Sequence, residues 1–333
     1  MKGVPLIRAS AFIPFVGFLE EIGVRVDPLL ARARMPEAIL AQPEALIPVH
    51  QACQFVAEAA RREGIEHLGF VVGQRMSVDA LGAFGRLVSR SLTLHEFFYT
   101  TVRLHPFYNT GGRLWLEPDG ERTWLRYGQD RRIEHGWQQA EQLSVVLTLQ
   151  TLRLASMPAQ GPIEVQLRAQ AAPGLRDVEL FANTRISFGH PSTGVAVPRS
   201  LLSQALAGSR RTSPAWVHLE RWLLLTGPAA DFSGSVRQAV RTLLLDGYPD
   251  VRLTAAAIGM SVRTLQRRLG ESGFSYSRLI EQERFRTAVR LLADPSIKVT
   301  NVAIELGYTD LANFTHAFRR WTGVSPSEFR RVE

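Results

Sequence analysis

Two stretches near the end of the chain carry side chains that suit hydrogen bonding to nucleic-acid bases. In the first, Arg263, Gln266 and Arg267 fall on one face of a predicted helix. Leu265 and Leu269, one turn apart, fall on the opposite face and are expected to enter the core. Arginine can form two hydrogen bonds with guanine, and glutamine can do the same with adenine, so this face is suited to reading base edges in the major groove.

The second stretch carries smaller and less polar groups at the matching positions. Phe314 and Phe318 are expected to face inward, which leaves Ala312, Thr315 and His316 on the outer face. Alanine offers only van der Waals contact and neutral histidine a single hydrogen bond, whereas the first stretch can make bidentate contacts. We therefore expect the first stretch to dominate the choice of sequence.

An internal repeat predicts the elements that position both stretches. The first copy consists of Val251, Thr254, Ala255, Ile258 and Gly259, and the second of Val299, Val302, Ala303, Leu306 and Gly307. In each copy the alanine lets a second helix approach closely, and the glycine ends the first helix in a left-handed conformation. The pattern is typical of a helix-turn-helix, so Gly259 and Gly307 are predicted to be the turns. Ser261, and Thr309 with Asp310, then open the two recognition helices.

A helix predicted from Tyr276 to Ala293 separates the two copies. Its apolar residues, Leu279 and Leu292 among them, recur at helical spacing, which indicates a rigid spacer that could hold two readers in successive major grooves. Ser325 with Glu328 has the spacing of a capping box and predicts one more helix at the end of the chain.

Composition and charge narrow the class of protein. The chain has 333 residues, is 45% hydrophobic and 21% charged, and has a formal net charge of +8. These values are typical of a soluble folded protein and argue against a disordered or membrane class, while the charge favours an anionic partner. The single cysteine, Cys53, excludes an internal disulfide and a CxxC motif, and the eight histidines show no metal-binding spacing. We expect a cytoplasmic protein with no membrane partner, metal or cofactor.

The first two hundred residues predict a domain that mixes helices with a small sheet. Asp27 followed by Pro28 opens one helix, and Thr93 with Glu96 caps another that is rich in aromatic residues. Further helices are predicted at 48–63 and 137–156, a hairpin at 114–127, and strands at 163–168, 184–188 and 194–197. The aromatic residues are candidates for an apolar effector pocket, with ordinary core packing as the alternative. They are Phe84, Phe97, Phe98, Phe107 and Tyr108.

The expected organisation is an α+β effector or dimerisation domain followed by an all-α module with two helix-turn-helix motifs. The Gly, Ser, Thr and Pro content between the two predicted domains indicates a linker with a short helix at 216–225. The expected boundaries are 1–207 for the first domain, 208–231 for the linker and 232–333 for the DNA-binding module.

Four stretches within residues 236–331 form a recognisable pattern. They are Gly259 to Leu269, Arg284 with Ala288, Leu291 and Leu292, Ala303 to Tyr308, and Phe318 to Pro326 with Arg330. This pattern resembles the AraC/XylS family of transcription regulators. The resemblance implies base reading by the two sets of outward residues named above, with phosphate contacts by Arg268, Arg319 and Arg320.

The N-terminal region is similar, more loosely, to a helix-rich ligand-binding domain that precedes this module. The similarity runs from Leu6 to Ser10, through Gly69 to Met76 and on to Phe188. It implies an effector or dimerisation domain. The two resemblances together imply a regulator of double-stranded promoter DNA whose first domain senses a small-molecule effector or forms a homodimer, and which contacts RNA polymerase and catalyses no reaction. Two alternatives stay open. One is a regulator without a ligand, and the other is an enzyme or repair domain fused to the reader, with Cys53 as the candidate nucleophile.

Overall fold

The computed structural model describes residues 3–128, 135–154, 163–170, 181, 184–206 and 214–332. The strands are β1 (Leu6–Arg8), β2 (Leu46–Pro48), β3 (Arg113–Asp119), β4 (Arg122–Gly128), β5 (Ile163–Gln166), β6 (Thr184–Ser187) and β7 (Thr193–Pro198). The helices of the first two thirds are α1 (Ile13–Glu21), α2 (Asp27–Ala33), α3 (Val49–Arg62), α4 (Leu68–Arg75), α5 (Gly82–Val88), α6 (Leu94–Leu104), α7 (Trp137–Leu154) and α8 (Pro214–Leu225). Those of the last third are α9 (Phe232–Leu243), α10 (Val251–Ala257), α11 (Val262–Glu271), α12 (Tyr276–Leu292), α13 (Val299–Glu305), α14 (Leu311–Thr322) and α15 (Pro326–Val332).

The chain divides into two compact units that are both discontinuous in sequence. The helical unit consists of Met1–Leu6, Leu30–Gln51 and Ala229–Glu333, and the mixed unit of Ile7–Leu29 and Ala52–Pro228. This division differs from the expected boundaries 1–207, 208–231 and 232–333. Residues 1–6 and 30–51 join the helical unit, and the later boundary between the units falls between Pro228 and Ala229.

The mixed unit combines helices with a five-stranded sheet, as the sequence pattern predicts. The strand order is β3-β4-β7-β5-β6, and only the β5–β6 pair is parallel. Val195 at the centre of β7 pairs with Leu125 on one side and with Val165 on the other, and all three are buried. The long helix α7 packs closely on α4, where a Cβ atom at Gly69 would lie 2.1 Å from the carbonyl oxygen of Gln139. The α+β class of this part of the chain is confirmed.

Helix α8 belongs to the mixed unit and is not part of a free linker. The buried guanidinium of Arg8 donates from Nη2 to the carbonyl oxygen of Leu223 at 3.2 Å and to Oγ1 of Thr226 at 3.0 Å. The same guanidinium lies over the ring of Trp222. A buried arginine needs several acceptors, so α8 is held in place by the contacts that satisfy Arg8. The helix predicted at 216–225 is thus present as part of the mixed unit, and residues 207–213 lie outside the described part of the chain.

Residues 3–6 and 30–51, here called the N-terminal strap, complete the core of the helical unit. Val4, Leu6 and Leu46 share one apolar cluster with residues of α9, α10, α11 and α12. Two buried hydrogen bonds fix the strap. The backbone N–H of Val4 donates to Oγ of Ser235 at 2.7 Å, and Oγ1 of Thr242 donates to the carbonyl oxygen of Leu46 at 2.6 Å.

The first turn of α9 is packed into the core of the helical unit. The Asp231 carboxylate caps α9 by accepting from the backbone N–H of Gly234 at 2.7 Å, and Phe232 is buried. A fragment that begins at Ser235 lacks both the cap and Phe232, as well as the strap. A fragment that folds alone should therefore begin before Asp231 and carry a replacement for the strap.

Replacing Leu46 by alanine tests whether the strap stabilises the helical unit. Leu46 is 3% exposed, so its truncation should lower the free energy of unfolding by about 2–5 kcal/mol. Hydrogen–deuterium exchange of the full-length protein should rise in peptides of α9, α10 and α11. Leu92→Ala is the control, because Leu92 is 52% exposed and lies in the mixed unit. Faster exchange confined to peptides of the mixed unit would contradict the assignment of the strap.

Candidate DNA-binding surface

The first helix-turn-helix, here called the first reader, is the capped helix pair α10 and α11 of the helical unit. The Asp250 carboxylate accepts from the backbone N–H of Leu253 at 2.6 Å and opens α10, and Oγ of Ser261 accepts from Thr264 at 3.2 Å and opens α11. Leu265 and Leu269 of α11 are buried in the same core as the strap. The local helix signals predicted from the sequence are thus present, and they set which face of α11 is exposed.

The outer face of α11 presents the predicted base-reading side chains. Arg263, Gln266 and Arg267 are all exposed, on the side opposite the buried leucines. Arg267 pairs with Glu271 one turn later through Nη1, which holds the guanidinium along the helix. An exposed ion pair of this kind contributes only about 0.3–0.5 kcal/mol, so it can be exchanged for a contact with a base at little cost.

The second helix-turn-helix, here called the second reader, consists of α13 and α14 and presents different side chains on its exposed face. The Asp310 carboxylate caps α14 by accepting from the backbone N–H of Asn313 at 2.7 Å, and Phe314 and Phe318 are buried. Ala312 and His316 are exposed. Thr315 is half-buried, and its hydroxyl donates to the carbonyl oxygen of Leu311 at 2.8 Å. The Thr315 side chain therefore offers an external partner only the acceptor capacity of its hydroxyl and the surface of its methyl group.

Both turn glycines are required for two separate reasons. Gly259 and Gly307 have φ of +71°, a conformation that other residues adopt at a cost. A Cβ atom at Gly307 would also lie 2.7 Å from the backbone nitrogen of Tyr248, and one at Gly259 would lie 3.0 Å from the His50 ring. Each turn therefore packs against an element that comes earlier in the chain.

One helix, α12, serves the cores of both readers. Leu279 and Ile280 belong to the core of the first reader, and Ala288 and Leu292 to that of the second. The spacing between the readers is consequently fixed by a single continuous helix, as the sequence pattern predicts.

Arg284 of α12 holds the turn of the second reader. Its Nε and Nη2 donate to the carbonyl oxygen of Leu306 at 2.9 and 2.7 Å, and Nη2 also donates to that of Gly307 at 3.1 Å. The guanidinium lies between the rings of Tyr248 and Tyr308, at 4.8 and 3.8 Å from their centroids. The spacing of residues in the sequence could not predict these hydrogen bonds of Arg284, because its acceptors are backbone atoms more than 20 residues away.

The three predicted phosphate-contacting arginines differ in their surroundings. Arg268 is half-buried, with its guanidinium 3.8 Å from the centroid of the Phe232 ring, so it helps to pack α11 on α9. Arg319 is exposed near the end of α14. Arg320 pairs with Glu281, which also accepts from Nε1 of Trp321 at 3.0 Å and has its pKa lowered mainly by that hydrogen bond. The phosphate assignments stay predictions.

The aromatic side chains proposed as an effector pocket pack against one another in the mixed unit. Phe84 stacks on Tyr108 with ring centroids 4.5 Å apart, and Phe97 and Phe98 are buried side by side on α6. His105 lies against the same cluster, and burial lowers its pKa to about 4. Phe107 is half-buried. Phe98 is fully buried, as is typical of an ordinary core residue. The pocket assignment stays a prediction.

Cys53 lacks the surroundings of an activated nucleophile. The side chain is buried in α3, and burial raises the pKa of the thiol to about 12. Catalytic thiols instead have lowered pKa values because cationic groups or helix N-termini stabilise the thiolate. Within the described ranges, no three His, Cys, Asp or Glu side chains cluster as metal ligands would. No helix of that same part of the chain has the length and apolar character needed to cross a bilayer.

Comparison with known proteins agrees with this geometry. Residues 23–206 match the model described as the arabinose-binding domain of AraC transcription regulator, N-terminal, and residues 254–332 match a helix-turn-helix domain model. The chain belongs to the AraC family of transcription regulators. The helix-turn-helix match begins within α10 and ends with α15, so it lies in the helical unit and includes α11, α13 and α14.

Some relatives match this AraC-family chain over nearly its whole length and others over less than a third of it. The ornithine utilization regulator of Pseudomonas aeruginosa is 27% identical over 99% of this chain and 96% of its own. The transcriptional regulator VqsM of the same organism is 41% identical over 29% of this chain and 31% of its own. Among solved structures, the regulator CdpR of P. aeruginosa aligns with 97% of this chain and 98% of its own at 18% identity, with a TM-score of 0.44. The higher identity in VqsM lies in a segment of about one module in length.

Exchanging Gly307 for alanine tests the turn of the second reader. The substitution should lower the free energy of unfolding by about 1–3 kcal/mol, because a left-handed backbone and a clash with Tyr248 both oppose a side chain there. Gly270→Ala is the matched control. Gly270 lies inside α11, and nothing lies within 4 Å of the position that a Cβ atom would take there, so that variant should be unchanged or more stable by about 0.5–1 kcal/mol. Equal urea midpoints for the two variants would refute the proposed constraint.

Proposed function

We propose that this AraC-family regulator binds double-stranded promoter DNA by placing α11 and α14 in successive major grooves, with binding modulated by a small-molecule effector. The observation that supports DNA reading most directly is the pair of capped helices with exposed outer faces on one spacer helix. A rigid pair of readers suits two segments of groove on one side of the DNA.

Base reading is assigned to the outer faces of the two recognition helices. The residues are Arg263, Gln266 and Arg267 on α11 and Ala312, Thr315 and His316 on α14. Contacts with the DNA phosphate backbone are assigned to Arg319 and Arg320. Arg268 is assigned the same role, for which its guanidinium must move away from the ring of Phe232. These contacts provide affinity and orientation and little sequence information. RNA polymerase and a second copy of the chain are the further partners that we propose.

Effector modulation is assigned to the region that precedes the module. The family model for residues 23–206 is described as arabinose-binding, and a relative that spans nearly the whole chain is named for ornithine utilization. Both descriptions support a small molecule as the effector without identifying it. The alternative is a regulator that is set only by its own abundance.

Footprinting on the promoters that flank the gene, with and without candidate metabolites, tests both parts of this proposal. The full-length protein should protect two segments of groove on one face of the DNA. The logarithm of its affinity should fall with the logarithm of salt concentration, by about 0.9 per phosphate contact. A metabolite that shifts the footprint supports modulation. Equal affinity for these promoters and for random DNA would overturn the proposal, and a footprint that no metabolite alters would favour the ligand-independent alternative.

The chemistry of the two outer faces predicts that α11 dominates specificity. Arg267→Ala should relax preference at one or two adjacent base pairs by about 1–3 kcal/mol, because a bidentate contact with a purine is lost. His316→Ala should mainly lower affinity, since a neutral imidazole offers one hydrogen bond. Selection of both variants against a library of single-base operator changes measures the two effects. A larger loss of specificity for His316→Ala than for Arg267→Ala would refute the asymmetry.

A further inference from the structure

A small cavity in the mixed unit lies beside α4 and α7, at the ends of β5 and β6. Its volume is about 20 Å³, which is room for one water-sized group. Polar side chains from the helix side, His67 and Gln142, meet the apolar side chains of Phe70, Leu167 and Phe188 in its lining. The cavity therefore combines a small polar end with an apolar wall.

The polar end contains one hydrogen-bond donor and one acceptor without partners among the described residues. Nε2 of Gln142 lies 3.3 Å from Nδ1 of His67, and the amide donates there. In the neutral ring Nδ1 then accepts, so Nε2 of His67 carries the hydrogen. Nε2 of His67 and Oε1 of Gln142 are both buried and without a hydrogen-bond partner. A buried polar group left unpaired costs about 1–3 kcal/mol, so two at one cavity favour an external partner.

The partner must itself offer both a donor and an acceptor. Rotating the Gln142 amide by half a turn exchanges the roles of the two free atoms and still leaves one donor and one acceptor. A hydroxyl group supplies both functions from a single heavy atom, and it fits a space of about 20 Å³.

The charges around the cavity are already balanced, which favours a neutral partner. Glu141, also in the lining, accepts from Nη1 of Arg168 at 3.1 Å and from Oγ1 of Thr193 at 2.6 Å. Arg168 in turn lies over the ring of Trp137 at 4.1 Å. A charged ligand would enter a buried site without a free counter-ion, and its desolvation would oppose binding.

We propose that this cavity binds the hydroxyl group of a small neutral effector, with His67 and Gln142 as its hydrogen-bond partners. The inference rests on the proposed function and gives the effector a chemical class, an alcohol with an apolar body. That body would pack on Phe188, which is half-buried, and leave the cavity beside Gln138 and Gln170, the exposed members of the lining.

Benzyl alcohol, toluene and benzylammonium are the probes that separate this site from its alternatives. Benzyl alcohol should stabilise the full-length protein against heat in a saturable way, whereas toluene lacks the hydroxyl and benzylammonium carries a charge, so neither should do so. The double variant His67→Leu/Gln142→Met replaces both polar partners with apolar side chains, a change that is nearly neutral for folding. Its affinity for benzyl alcohol should be at least tenfold lower, the equivalent of about 1.4 kcal/mol.

Gln150→Met is the matched control for the double variant. Gln150 lies two turns further along α7 and donates to the carbonyl oxygen of Gly73 at 3.0 Å, and it is not part of the cavity lining. This variant should retain the affinity of the unmodified protein. The inference would be overturned by unchanged binding in the double variant or by equal binding of toluene. It would also be overturned if benzyl alcohol had no saturable effect on the unmodified protein, and a bound water would then be the occupant. Footprints of the same preparations, recorded without any probe, report separately on the proposed function, because they measure operator binding in the absence of benzyl alcohol.

Discussion

The guanidinium of Arg284 is the contact on which the two-reader arrangement depends. It joins the spacer helix to the carbonyl oxygens of Leu306 and Gly307, which end the first helix of the second reader. Charge-assisted hydrogen bonds of this kind are about twice as strong as neutral ones. Tyr248, which lies over the same guanidinium, also lies against Gly307. One side chain thus links the segment before α10, the spacer and the second turn, and thereby holds the second reader against the spacer helix.

The first reader depends on parts of the chain that are far away in sequence. Its core is closed by Val4, Leu6 and Leu46, and the ring of His50 lies against Gly259. Buried apolar contacts stabilise in proportion to the surface they remove from water, so the strap is part of what makes α10 and α11 stable. The segment that matches the helix-turn-helix family model, residues 254–332, is consequently only part of the helical unit that the strap stabilises.

The mixed unit separates packing from polar chemistry. Its aromatic helix α6 fills the core, where stacked and buried rings leave few polar groups to satisfy. The polar network lies instead on α7, where Glu141 and Gln142 are buried among Arg168, Thr193 and His67. Buried polar networks are costly unless every member has a partner, so an incomplete one marks a place where an additional group fits.

Features whose causes are local could be predicted from the sequence. The two left-handed glycines, the caps Ser261 and Asp310, and the buried faces of α11 and α14 follow from hydrogen bonds and helical periodicity within a few residues, and the resemblance placed them in the AraC family. Three other features became visible in the folded chain alone: the strap completes the first reader, α8 joins the mixed unit through Arg8, and His67 and Gln142 meet at one cavity. These contacts join residues that are tens to hundreds of positions apart, and no spacing rule relates them. Their partners are mostly backbone atoms or apolar surfaces, which every residue or many residues offer, so the pairing is chosen by how the elements pack and not by residue type.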